Sequence, residues 1–412
     1  MTYQETVQYL YTQVPSFQKV GAVGYKEGLY NTLTLDEHFG HPHRSFKTIH
    51  EAGTNGKGSC SHTLAAILQS AGLKTGLYTS PHLVDFRERI KVNGQMISQE
   101  YVCDFVEKER SFFEPLQPSF FELTTALAFK YFADQHVDIA VIEVGLGGRL
   151  DCTNIITPEL CVITNISLDH TQFLGNTLAE IAAEKAGIIK PGIPVVIGET
   201  TPETRPVFKR VAREKKAPLL FAEKESLDGF DDLLAAFELK GSYQKKNART
   251  IVTAAQTLGL PKQTIAEGMS HVVELTGLMG RWQTLSEKPL VVCDTGHNTG
   301  GWQYLSEQIK QQPARQKHIV FGMVDDKDLR TVMQMLPKDA CYYWTQASTH
   351  RAIPAKTVQE TGAAFMLKGK AYDHVKDAAE AALAAAEAGD FVFIGGSSYV
   401  VADLLSETNW PF

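Results

Sequence analysis

Short unbroken apolar runs recur along this chain, and between them lie longer stretches in which apolar residues return every three or four positions. VDIAVIEVGLGG (137–148) holds such a run with no polar alternation, which predicts a strand covered on both faces. After an N-terminal helical region, FKTIHEAGTNGKGSCSHTLAAILQSAG (46–72) reads as strand, glycine loop and then a helix with Leu64, Ile67 and Leu68 on one face, closed by Gly72. KTGLYTSPHL predicts a short strand ending in a Ser-Pro turn, PSFFELTTALAFKYFADQ a helix, LCVITNIS a strand, TLAEIAAEKAGIIKPG a helix and PVVIG a further strand. The alternation restarts after TGLMGRWQTLSEK. PLVVCDTGHN, KHIVFGMVDDKD, ACYYWTQA and DFVFIGGSSYVVADLL each read as a strand, with helices such as DAAEAALAAAEAG between them. AEKESLDGFDDLLAAFELKG (222–241) is read as strand and hairpin elaboration.

Strands alternating with helices predict α/β architecture: a P-loop-type, doubly wound, mainly parallel sheet domain, followed by a smaller C-terminal α/β domain of Rossmann-like kind. A length of 412 residues exceeds what one core usually supports, and the restart divides the chain into 1–284 and 285–412. The composition, 43% hydrophobic and 21% charged, is that of an ordinary globular protein. A net charge of -7 provides no basic field, so neither nucleic acid nor an anionic membrane surface is expected as a partner. The six cysteines form no C-x-x-C pair and no zinc spacing, which suits reduced thiols. With no signal-peptide pattern and no apolar span, a cytoplasmic location is expected.

The stretch EAGTNGKGS (51–59) departs from the common phosphate-loop pattern, because Gly58 separates Lys57 from Ser59 and Glu51 stands where the first glycine would be. Gly53, Gly56 and Gly58 let backbone N–H groups turn inward at a helix start, Lys57 adds a cation and Ser59 a hydroxyl suited to Mg²⁺. The bland alternative is a structural turn, which the strand-before, helix-after setting disfavours. Glu143, near the carboxyl end of its strand, is by itself as readily an exposed strand-end carboxylate as a magnesium ligand; beside a phosphate loop the ligand is favoured. His170, in SLDHTQFLG, follows the next strand in the same way. A lone histidine there is more often a turn residue, and magnesium prefers oxygen. The default for Lys185 is a solvated lysine at a helix end.

Several strings taken together resemble one family. GTNGKGS, YTSPHL with FRERI, IEVGLGGRLDCTNI, ITNISLDHTQFLGNTLAEIAAEKAGIIKPG, GRWQ, DTGHN and VDDKD stand in the order found in folylpolyglutamate synthase and dihydrofolate synthase, members of the Mur ligase superfamily. The resemblance runs from about residue 40 to 400, and the family's loop, G-T-x-G-K-G-[ST], includes the glycine at position 58. It implies an ATP-dependent amide ligase that adds L-glutamate to dihydropteroate, to reduced folates, or to both, through an acyl phosphate.

Carried over position by position, the resemblance gives Thr54, Asn55, Gly56, Lys57, Gly58 and Ser59 to the ATP phosphates, with Ser59 and Glu143 on a first Mg²⁺. His170 would ligate a second Mg²⁺, with Lys185 carbamylated beside it. Asn247 resembles the adenine contact, Arg281 the arginine that reaches the phosphates and Asp294 the ribose-binding carboxylate. His297 and Ser397 resemble groups facing the incoming glutamate, with Ser80 and Arg89 opposite. Pro81, His82 and Phe121 would border the pterin or aminobenzoate ring, although core packing is at least as good a reading for Phe120 and Phe121. Lys57, His170, Lys185, Arg281 and His297 are thus the expected catalytic set. ATP and two Mg²⁺ are the expected cofactors, a monovalent cation is a further candidate, and the partners are small molecules taken up by a monomer. The segment 17–40 is a candidate wall of the acceptor pocket.

Two departures from the family stand out. Glu51 occupies a place expected to be small or apolar, and DTGHN replaces D-G-A-H-N, which leads to the expectation that Gly296 supplies the turn's positive φ in place of Thr295. Three other readings compete, one of them a catalytically silent homologue that only binds folate, against which the joint presence of Lys57, Ser59, Glu143, His170 and Lys185 argues. A different Mur-type ligase would act on a nucleotide-linked peptidoglycan precursor, for which the N-terminal region is short. A regulatory P-loop ATPase would hydrolyse ATP without an acceptor and would not need DTGHN and GGSSY.

Overall fold

The computed structural model describes residues 1–14, 28–407 and 410. Positions 17–27 of the candidate pocket wall lie outside the described residues. Two compact units result, one made of Met1–Glu238 and Lys246–Gly277, the other of Leu239–Lys245 and Leu278–Phe412.

The first unit is built on strands β1 (Lys47–Ala52), β2 (Thr75–Tyr78), β3 (Ile90–Val92), β4 (Gln95–Met96), β5 (Ile139–Glu143), β6 (Leu160–Ile163), β7 (Val195–Ile197) and β8 (Leu219–Phe221). They form one sheet in the order β4-β3-β2-β5-β1-β6-β7-β8, parallel except for β3 and β4. The apolar runs occupy its centre, where β1, β5 and β6 are covered on both faces and buried almost throughout. Tyr78, Phe113, Phe129 and Phe132 belong to one apolar cluster, and Ile163, Ile181, Ile188 and Phe208 to another. Helix starts follow local chemistry: Ser119 with Glu122, and Thr177 with Glu180, form capping boxes at Phe120–Asp134 and Leu178–Ala186. Because β5 and β6 lie on opposite sides of β1, connections diverge around it, and the loops after all three leave from the same carboxyl edge. Open α/β sheets bind ligands at that edge.

The second unit carries β9 (Gln283–Glu287), β10 (Leu290–Asp294), β11 (Lys317–Phe321), β12 (Ala340–Thr345), β13 (Gly369–Tyr372) and β14 (Phe391–Gly395), in the order β13-β12-β11-β14-β10-β9. Only β9 is antiparallel. Trp302, Trp344 and Phe393 fill its core. The expected pair of mainly parallel α/β sheets is therefore present.

Residues 222–241 are a correction, since they form turns and the helix Asp231–Ala236, with no strand or hairpin. Asp231 and Asp232 sit in that helix's first turn, where carboxylates favour the helix dipole. Among the described residues all six cysteines are free thiols, and no helix is long and apolar enough to cross a membrane.

Candidate active site

The glycine loop bridges β1 and the helix Lys57–Ser70. Gly53 and Gly56 have φ of 150° and 89°, a region that disfavours side chains. A Cβ on Gly53 would stand 1.8 Å from Thr164 Oγ1, and one on Gly56 would stand 2.5 Å from Asn247 Oδ1. The loop is laced to the segment after β6: Thr54 N donates to Asn165 O at 2.9 Å, Asn55 N to Asn165 Oδ1 at 3.0 Å, and Thr164 Oγ1 to Asn55 O at 2.7 Å. Lys57 folds back over this cradle, donating from Nζ to Gly53 O at 3.1 Å and Thr54 O at 3.4 Å.

Glu143 closes β5, with Oε1 4.0 Å from Lys57 Nζ and Oε2 accepting from Ser80 N at 3.2 Å. It is buried, not an exposed strand-end carboxylate. Ser59 is buried in the first turn of the loop's helix. Thr54 to Ser59, Glu143, Ser80 and Asn247 are therefore brought together at one sheet edge.

Lys185 departs from the default of a solvated helix-end lysine. It is 5% exposed, and burial together with the Lys57 cation lowers its pKa to about 7, against the opposing pull of Asp169 and Asp151. The loop after β5 packs against this helix end. Arg149 N donates to Glu184 O at 2.8 Å, and a Cβ on Gly187 would stand 2.4 Å from Arg149 Cα, so this loop seals the helix end. His170 caps the short helix Thr171–Leu174 with φ of 48°, and its backbone N donates to Asp169 Oδ1 at 2.9 Å.

Among the described residues no group of three His, Cys, Asp or Glu is placed to hold a metal. The donor chemistry is nevertheless discriminating. Ser59 and Glu143 offer oxygen and suit a hard cation, whereas His170 and the amine of Lys185 offer nitrogen and suit magnesium poorly unless the amine is converted to a carbamate.

In the second unit, Asp294 ends β10 at 3% exposure and accepts from Tyr243 Oη at 2.6 Å, Trp282 N at 2.7 Å and Gly296 N at 2.8 Å. Burial raises its pKa despite these donors. Arg281 donates to Thr295 Oγ1, and to its neighbour Gly280 O at 3.2 Å. His297 Nδ1 lies 3.1 Å from Thr295 O. Ser397 caps the helix Ser398–Ser406 through Val400 N at 3.2 Å. Gly395 and Asp294 are register partners, so the DTGHN and GGSSY turns leave neighbouring strand ends. The expected turn geometry needs correcting: neither Thr295 nor Gly296 has a positive φ. Glycine fits position 296 for space instead, since a Cβ there would stand 2.2 Å from Leu305 Cδ1.

On the acceptor side, Pro81 is exposed, Arg89 is buried and donates to His82, and Phe120 is core at 4% exposure. Phe121 is half-buried, stacks on Tyr78 at 5.8 Å, and would stand 2.5 Å from a Cβ on Gly145.

Residues 52–261 match the family described as Mur ligase middle domain, and residues 280–398 match Mur ligase, glutamate ligase domain. The dihydrofolate synthase/folylpolyglutamate synthase of Bacillus subtilis is 35% identical over 415 residues, covering 92% of this chain and 95% of the relative. The chain belongs to the dihydrofolate synthase/folylpolyglutamate synthase family of Mur ligases. The enzyme of that name from Escherichia coli is 35% identical over 369 residues, with 86% and 85% covered. Escherichia coli FolC in complex with DHPP and ADP superposes with a TM-score of 0.86 at 31% identity, over 98% of this chain and 97% of that one. A bifunctional folylpolyglutamate synthase/dihydrofolate synthase with Mn, AMPPNP and L-glutamate bound gives a TM-score of 0.83 at 28% identity, over 98% of each chain.

Three groups escaped the reading of the sequence. Asp151 gathers Gly145 N at 3.0 Å and Leu146 N at 2.9 Å, ordering the loop after β5; an Asp following a glycine run is a legible signal for this. Tyr243 holds Asp294, and no local pattern marks it. Glu51, noticed only as a departure, is wholly buried; it accepts from Ser61 Oγ at 2.6 Å and faces Glu143 across the β1–β5 register.

Proposed function

We propose that this chain joins L-glutamate to the carboxylate of dihydropteroate, of reduced folates, or of both, using ATP. The observation that carries the reading is the glycine cradle with Lys57 folded over it and the Glu143 carboxylate 4.0 Å from that cation, at a carboxyl sheet edge. The loop amides and Lys57 bind the β- and γ-phosphates at the helix start. Ser59 and Glu143 would hold one Mg²⁺, which when bound neutralises phosphate charge. Lys185 as a carbamate, with His170, would supply the place of a second, and a monovalent cation belongs to the same reading. Asn247, against Gly56, is assigned to adenine; Arg281 is assigned to phosphate and Asp294 to ribose. Asp294 already accepts three hydrogen bonds, so its contribution to ribose is a fixed, oriented carboxylate.

The acceptor's carboxylate oxygen attacks the γ-phosphorus, ADP leaves, and an acyl phosphate forms. The glutamate amine then attacks the acyl carbon, the tetrahedral intermediate collapses, inorganic phosphate departs and the nitrogen loses a proton. Catalysis by such a site consists mainly of positioning and charge compensation. Ser80 and Arg89, with His297 and Ser397, are assigned to the incoming amino acid, and Pro81, His82 and Phe121 to the ring of the acceptor. The enzyme acts on small molecules, as a monomer, in the cytoplasm.

Replacing glutamate with hydroxylamine tests the intermediate. ATP- and acceptor-dependent hydroxamate is the expected product. Glutamate-dependent turnover with no hydroxamate, and with no exchange of label between the acceptor carboxylate and phosphate, would rule the acyl phosphate out.

A further inference from the structure

Tyr11, on the helix Tyr3–Gln13, has no part in the assignments above, yet hydrogen bonds through His82 link it to Arg89. Arg89 is 2% exposed and donates from Nε to His82 Nδ1 at 2.7 Å. His82 Nε2 lies 2.6 Å from the Tyr11 hydroxyl. Tyr11 and Arg89 also rest on one aromatic ring: Tyr11 stacks on Phe120 at 5.3 Å with 18° between planes, and the Arg89 guanidinium lies over Phe120 at 5.1 Å.

The geometry determines the proton positions. A guanidinium only donates, so Nδ1 of His82 must present its lone pair. The ring proton is then on Nε2, and Tyr11 Oη accepts it. Burial and the adjacent Arg89 cation, opposed by Asp85, keep the imidazole neutral. A guanidinium gripped at Nε and laid on an aromatic face has both its direction and its plane fixed, which is what recognition of a planar carboxylate by paired N–H donors requires.

We propose that Tyr11 and His82 are positioning residues that orient the Arg89 guanidinium for a carboxylate of the incoming amino acid, an inference that rests on the ligase reading above. Without the Tyr11 oxygen, Nε2–H of His82 loses its acceptor and the ring is no longer held in the tautomer and rotamer that grip Arg89.

The test is steady-state kinetics of the full-length enzyme with ATP, acceptor and L-glutamate. Tyr11→Phe keeps the ring on Phe120 and removes only the oxygen. It is expected to raise KM for L-glutamate about tenfold, with kcat and KM for ATP within about twofold, the size of one lost buried hydrogen bond between neutral groups. In His82→Asn the amide oxygen takes the place of Nδ1 toward Arg89 and cannot reach Tyr11. Adding Tyr11→Phe to that background is therefore expected to change nothing further. KM does not depend on the fraction of enzyme folded, so a less stable variant still reports. The proposal is overturned by an unchanged glutamate KM in Tyr11→Phe, by an equal rise in KM for ATP, or by the same tenfold effect in the His82→Asn background. Failure of the ligase reading looks different: wild-type enzyme would release no glutamate-dependent phosphate.

Discussion

Replacing Lys185 by methionine probes the least expected feature of the site, an ammonium group held in a sealed helix end. Burial and the Lys57 cation lower the Lys185 pKa from 10.5 to about 7. The folded value lies below the unfolded one, so between the two the unfolded chain binds the extra proton and stability rises with pH. Below about pH 7 both states are protonated and the penalty is constant. From pH 7 to pH 9 the wild-type protein should gain about 2 kcal/mol that Lys185→Met does not, reckoned at about 1.4 kcal/mol per unit with half the effect at the lower end. The same shift leaves about half the amine neutral at pH 7, against roughly one in three thousand for an ordinary lysine, and only the neutral amine takes up carbon dioxide. Urea unfolding in bicarbonate-free buffer is the assay. It should be followed by labelling of the buried thiols Cys60 and Cys161, because all four tryptophans lie beyond residue 280 and report on the other unit. If the stability difference between wild type and Lys185→Met is the same at pH 7 and pH 9, Lys185 is an ordinary helix-end lysine and its role as a carbamate fails.

Two further outcomes are expected. Lys57→Ala should lower kcat/KM for ATP by about a thousandfold or more without altering the circular dichroism spectrum, and a loss under tenfold would remove the glycine loop from phosphate binding. Burial and the nearby Glu143 hold the Glu51 carboxyl well above the usual carboxylate range, so its stability contribution falls as pH rises above the unfolded value. Glu51→Val should therefore gain on wild type between pH 5 and pH 7, by up to about 1.4 kcal/mol per unit, in thermal unfolding scans; a pH-independent difference would contradict this.

What could be read from the chain, and what could not, separates along physical lines. The loop at 53–59 was legible because phosphate binding imposes glycines, a lysine and a helix start within a few residues. The central strands were legible because burial on both faces leaves an unbroken apolar run. The antiparallel strands Ile90–Val92 and Gln95–Met96 are too short for any alternation to register. Lys185 looked solvated because it stands at a helix end, where a cation is favourable; its burial, and the packing of Arg149 on Gly187 beside it, are contacts across the fold that no local pattern encodes. Tyr243 and Tyr11 act through partners 51 and 71 positions away, and their own neighbourhoods carry no sign of it. Glu51 was visible as an anomaly, but its burial against Ser61 required the helix to be placed.

The central claim is glutamate transfer to a pteroate-type carboxylate. Phosphate release should be measured with Mg·ATP and L-glutamate, side by side with 7,8-dihydropteroate and with tetrahydrofolate, and the products weighed by mass spectrometry. Glutamate-dependent phosphate release with a product one glutamate residue heavier on at least one acceptor is the predicted result. ATP hydrolysis that ignores both acceptors and yields no adduct would contradict it.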